Sequence, residues 1–289
     1  MVDKLSKLLE FQRRAEWVEA VELAKQLLST GYQPPLRDDV GVIAAIAADA
    51  YVHLAQLSKA HEAINRAHDE VLPGTSAEAY SLAVGVTVLC LRGLPEKAVS
   101  WGTEFLDKLP GYPERALRFV PGVCHDMAYA FRRMGKLEQA MAYLRRASDA
   151  TTAAEPYRAN YFRLVEAEIC LDAGDITAAQ RILDGIGESA VPDQHRDDYY
   201  VVKGRLAEAQ GNHAEAATCG MRALAWCQHG QDGAVWAYLL LSRVLASEGH
   251  ALDAKRLSQQ AADWAIQTGR EDLYKVAAEH LGRQEGGAS

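Results

Sequence analysis

Apolar residues recur along this chain at helical spacing, in blocks that each end on an alanine. The alanines stand at positions 20, 60, 98, 140, 179, 216 and 254. Twelve residues before the last six are Ala48, Val86, Ala128, Ala167, Gly204 and Ser242, mostly small; nine before them are Tyr51, Leu89, Phe131, Cys170, Ala207 and Leu245, mostly large. Small beside large, three residues apart on one helix face, lets neighbouring helices approach and interlock. A short phrase leads into each alanine: Gly93–Ala98, Gly135–Ala140, Gly174–Ala179, Gly211–Ala216 and Gly249–Ala254, with weaker copies at Ala15–Ala20 and Ala55–Ala60. Its glycine suits the left-handed residue that ends a helix, and the Pro, Asp, Asn or Glu that follows suits the first turn of the next. Each phrase therefore predicts a corner between two helices, and alanines spaced 37 to 42 residues apart predict seven helical hairpins. No sustained period-two alternation appears, and the Asp232, Gly233 pair lies between helical patterns, so the expected fold class is all-α.

Loops between hairpins are expected at Thr30–Asp38 with Pro34 and Pro35, Leu72–Ser76, Leu109–Glu114, Thr151–Pro156, Gly187–Asp193 and Gln228–Gly233. None has the length or bias of a flexible linker, so residues 1–281 are expected to form a single helical-repeat solenoid, with 282–289 a flexible tail. Leu273, Val276, Ala277 and His280 continue the helical pattern and predict a closing helix that covers the last hairpin.

The residues Ala128, Phe131, Gly135, Ala140 and Ala48, Tyr51, Ala55, Ala60 resemble the tetratricopeptide repeats: small residue, aromatic three later, corner, then alanine. Pro73 and Pro110 fit that family's proline after the second helix. The resemblance covers nearly the whole chain, although the period exceeds the family's usual length of about 34 and Cys170 and Ala207 replace the large residue in two units. Such long repeats are similar to those of bacterial signalling regulators, peptide receptors and kinesin light chains. The resemblance implies a right-handed superhelix whose first helices line a concave groove.

With 31 Lys+Arg against 39 Asp+Glu the chain carries a net charge of −8, unlike a dedicated nucleic-acid binder. No apolar run approaches the roughly 20 residues of a membrane span, and Asp3, Lys4, Lys7 and Glu10 interrupt any secretory core. Five scattered cysteines without a Cys-x-x-Cys pair are expected to be reduced core thiols in a cytoplasmic protein. Between Arg115 and Arg163 the charge reverses: nine basic residues stand against four acidic, net +5, leaving −13 elsewhere.

Candidate catalytic chemistry falls away. His61, Glu62 and Asn65 miss the second histidine of a metalloprotease helix, and Ile64 and Ala67 claim the inward stripe. Gly185 and Gly187 lack the third glycine and the preceding strand of a phosphate loop. Cys124, His125 and Asp126 are consecutive on a helix and cannot align as a relay. No catalytic residue, metal or cofactor is expected. The informative residues are those the resemblance assigns to the groove. Eleven before each alanine stand Asp49, Thr87, Tyr129, Glu168, Arg205 and Arg243, and nearby on the same face are Tyr80, His125, Arg132, Arg133, Tyr161 and Trp236. Guanidinium groups beside aromatics suit a peptide or protein segment, an anionic one where the basic middle faces it. A solvated wall without a ligand has the same polar row. The expected function is thus a non-catalytic cytoplasmic adaptor or sensor without direct nucleic-acid or membrane contact; a scaffold subunit of a larger assembly, or the peptide-sensing fragment of a bacterial regulator, are the alternatives. No helix-turn-helix pattern precedes the first hairpin: regulation by a full-length chain is expected to act through a protein partner, whereas a fragment would have lost a DNA-binding or enzymatic domain.

Overall fold

A computed structural model of the protein describes residues 2–29, 37–151, 156–227 and 233–286. The expected loops at 30–38, 151–156 and 228–233 lie mostly outside them. The helices run α1 (Val2–Arg13), α2 (Trp17–Ser29), α3 (Arg37–His53), α4 (Leu57–Glu70), α5 (Ser76–Leu91), α6 (Pro95–Lys108), α7 (Val120–Arg133), α8 (Leu137–Asp149), α9 (Pro156–Asp172), α10 (Ile176–Asp184), α11 (Arg196–Ala209), α12 (His213–Trp226), α13 (Gly233–Ser247), α14 (Ala251–Gln267) and α15 (Glu271–Gly286). Among the described residues there is no strand, and the fold is an all-α solenoid of helical hairpins.

Every predicted corner is built. The opening residues of the seven phrases all adopt left-handed backbone, with φ of 57° at Ala15, 55° at Ala55, 64° at Gly93, 71° at Gly135, 77° at Gly174, 75° at Gly211 and 85° at Gly249. The next residue's N–H then reaches back to the carbonyl of the large position, as in Gln56 to Tyr51 (2.8 Å), Leu94 to Leu89 (2.9 Å), Asp175 to Cys170 (2.9 Å), Asn212 to Ala207 (2.8 Å) and His250 to Leu245 (2.9 Å). This closes the first helix on its orphan carbonyls. The phrase-ending alanines are at most 1% exposed, because each opens the second helix against its partner, where a larger side chain has no room. Gly204 shows the same demand on the small position: a Cβ there would come within 2.4 Å of Leu240 and 3.0 Å of Cys219.

The chain divides into two compact units, residues 1–134 and 135–289. In the first, each second helix packs on its own first helix and on the next one, while α1, α3, α5 and α7 pack side by side as a wall. Leu8, Ile43, Ile46, Ile64, Leu82, Phe105 and Met127 fill its core, each fully buried. A 3-10 turn, Glu114–Phe119, lies between α6 and α7 and packs on α5 and α7. In the second unit, α9, α11, α13 and α15 form a corresponding wall, and Leu164, Ile169, Ile186, Leu239 and Leu240 are buried behind it. Helix α15 packs on α14 and α13, with Leu273 and Ala277 fully buried beside Val235, Leu239 and Ala261.

Candidate functional site

The first-helix walls carry the polar row. Asp49, Thr87, Tyr129, Glu168, Arg205 and Arg243 are all partly exposed, each one residue past a buried small position. One helical step of about 100° turns the row from the packed seam to the open face.

In the first unit the row is cross-linked between neighbouring first helices. Asp49 on α3 accepts hydrogen bonds from Gln12 Nε2 of α1 (2.8 Å) and from the Tyr80 hydroxyl of α5 (3.2 Å). Burial pushes the Tyr80 phenol well above its usual range, and the Asp49 charge adds to the rise. It stays a neutral donor. One turn along α3, His53 Nε2 lies 3.8 Å from Asp49, its ring stacked on Trp17 at 4.0 Å. Thr87 on α5 donates to Asp126 on α7, and His125 Nδ1 sits 3.1 Å from the other Asp126 oxygen. Tyr129 and Arg132 follow on α7, both partly exposed, and Arg133 is exposed in its last turn.

In the second unit the row is an ion-pair ladder. Arg205 on α11 reaches back to Glu168 (3.4 Å) and Asp172 (2.6 Å) on α9. Arg243 on α13 grips Glu208 on α11 through two parallel bonds of 2.7 and 2.8 Å. His280 on α15 extends the series: its Nε2 lies 3.3 Å from Ser242, which bonds Ser258 and the Ala254 carbonyl. Burial and the Arg243 charge hold that imidazole below its usual range. Tyr161 on α9 stacks on His195 at 4.2 Å. Trp236 packs against the apolar cluster of α13, α14 and α15.

In the second unit the charges on the row are matched between consecutive hairpins, so Arg205 and Arg243 already hold carboxylates of their own chain. Sequence reasoning singled out Asp49, Thr87, His125, Arg205 and Arg243 and missed their partners Gln12, Asp126, Asp172 and Glu208. Three of those were marked by periodicity: Gln12 and Glu208 stand eight, and Asp172 seven, before an alanine of the repeat. Among the described residues no helix is long and apolar enough to cross a membrane.

Comparison with known proteins agrees with this architecture. A tetratricopeptide repeat model matches residues 121–151, which contain α7 from its second residue, the fourth corner and α8. The fold is similar to that of NprR in complex with its cognate peptide NprX (TM-score 0.72, 12% identity, 96% of this chain and 82% of that one). It is also similar to a Rap protein complexed with competence and sporulation factor (TM-score 0.68, 14% identity, 99% and 97%). A tetratricopeptide repeat protein from Parabacteroides merdae gives a TM-score of 0.65 at 14% identity, with 98% of each chain covered. No curated protein matches the sequence significantly.

Proposed function

We propose that this chain is a non-catalytic cytoplasmic adaptor or sensor that receives a peptide or protein segment on its first-helix walls. The observation that carries the reading is the half-exposed polar row, repeated in every hairpin from α3 to α13 on a face that packing leaves open. Likeness to NprR and Rap structures that hold peptides supports it. So do the five scattered cysteines without a Cys-x-x-Cys pair, which fit a reducing compartment. The net +5 of residues 115–163 favours an anionic segment, with Arg132 and Arg133 at the end of α7 as its first contacts.

The test begins with capture of the partner from native lysate on the full-length protein and synthesis of its binding segment. Calorimetric titration is then expected to show Arg133→Glu weakening binding by about tenfold or more, since a charged hydrogen bond to carboxylate is lost and a repulsion gained. Arg145→Glu, at an exposed position of α8 outside the row, should leave affinity within about twofold. Equal affinity of wild type and Arg133→Glu removes the basic-groove mechanism; a partner that binds only through residues off the walls makes the chain a scaffold.

A further inference from the structure

Most charge on the walls is already answered within the chain: Asp49 by Gln12 and Tyr80, Asp126 by Thr87, Arg205 by Glu168 and Asp172, Arg243 by Glu208. Arg118 differs. It is exposed on the 3-10 turn Glu114–Phe119, and it takes part in no ion pair among the described residues. Its guanidinium carbon lies 4.7 Å from the centre of the Phe119 ring. That ring in turn lies 5.6 Å from Tyr80, tilted by 34°, and Tyr80 is tied to Asp49 on the polar row. The first half of the turn is held in place: Arg115 donates to Ser76 at the start of α5, and Ala116 is fully buried.

A guanidinium stacked on a ring by one face keeps its in-plane N–H donors pointing outward, in the fork geometry that matches a carboxylate. Stacking also fixes the fork in advance, so less conformational freedom is lost when the anion arrives. The Phe119 and Tyr80 residues beside it are both partly exposed.

Building on the peptide-binding reading, we propose that Arg118, seated over the Phe119 ring, is the anchor for a carboxylate of the bound segment, with a neighbouring apolar side chain lying on the Phe119 and Tyr80 rings. The carboxylate can come from an Asp or Glu side chain or from a free C-terminus; both offer the same two oxygens.

Three pools of dye-labelled hexapeptides tested on immobilised full-length protein separate the sources: free C-terminus without Asp or Glu, amidated C-terminus with Asp or Glu, and amidated without either. Wild type is expected to retain one or both carboxylate pools about tenfold above the third, and the retained pool identifies the source. Arg118→Gln should bring that pool down to the level of the third while leaving the third unchanged. Lys97→Gln, which removes an exposed cation on α6, should change none of them. Superimposable melting curves confirm that both variants fold. Equal retention of the pools by wild type, unchanged retention by Arg118→Gln, or an equal loss in Lys97→Gln overturns the anchor while leaving peptide binding intact. Retention of no pool by wild type overturns both.

Discussion

At the scale of single residues, the corners show how far the repeat dictates backbone. Ala15 and Ala55 hold left-handed φ where five other corners have glycine. An L-residue in that region is strained by about 1–2 kcal/mol, partly offset by the lower unfolded-state entropy of alanine. Ala55→Gly should therefore raise stability by about 0.5–1 kcal/mol, and Gly93→Ala should lower it by a similar amount, read from urea denaturation midpoints. Left-handed backbone at alanine was legible because the phrase around it was intact. Gly269 (φ 69°) is an eighth corner of the same kind, but Tyr274 stands where the alanine would be and the phrase did not reveal it. A buried carboxylate escaped sequence reading altogether. Asp197, 3% exposed in the first turn of α11, lies so close to Gly233 that a Cβ there would stand 2.2 Å from its Oδ2. Burial, with the Asp198 charge, pushes its pKa up to about 6 from an ordinary 3.8. The folded state thus holds this proton more tightly than the unfolded one, so its contribution is most favourable below pH 4 and is lost as pH rises to about 6. Asp197→Asn should gain on wild type by roughly 2 kcal/mol between pH 4 and 7, levelling off above 6. A difference that stays flat across that range, measured by denaturation at each pH, would count against this account.

At the scale of elements, α15 was legible from its apolar spacing, and its energetics follow from what it covers. Leu273 is fully buried, and the helix start carries a buried pair, Arg270 with Asp272, joined by bonds of 2.9 and 2.8 Å. Leu273→Ala should cost about 3 kcal/mol through the cavity it leaves. Asp272→Ala should cost about as much, because a buried guanidinium loses its bidentate partner. Tyr274→Ala, on the exposed side of the same helix, should stay within about 0.5 kcal/mol. Thermal melts of the three variants order these effects, and equal melting of all three would mean that α15 closes nothing. The 3-10 turn before α7 was not legible. Leu109–Glu114 reads as a loop feeding directly into a helix, yet Pro121 in the first turn of α7 has no N–H to give to Leu117. The α-helical ladder therefore cannot extend backward through it, and Val120 bonds the Leu117 carbonyl in the tighter 3-10 pattern. That turn carries Arg118 and Phe119; the Phe119–Tyr80 ring pair recurs as His195–Tyr161, but no arginine directly precedes His195, and so the candidate anchor was invisible to an argument built on periodicity.

At the scale of the whole molecule, the repeat made the order of helices and the position of the polar row readable, because both depend on offsets within one hairpin. What the row does depends on neighbours some 35 residues away, such as Glu208 for Arg243, and no offset within a hairpin discloses that. The corners and the row also set different rules for how such a chain can change length. Each corner closes its own backbone bonds and ends on left-handed geometry, so joining Ala55 to the residue after Gly93 would put like beside like and leave no orphaned amide. The ladder is less forgiving: that deletion would remove Tyr80 and Thr87 and bring Asp49 next to Asp126, two carboxylates deprived of their hydroxyl donors. Hairpins of this protein are interchangeable at their hinges but not at their faces, and a lineage that gains or loses one must rewrite the rungs on either side of the seam.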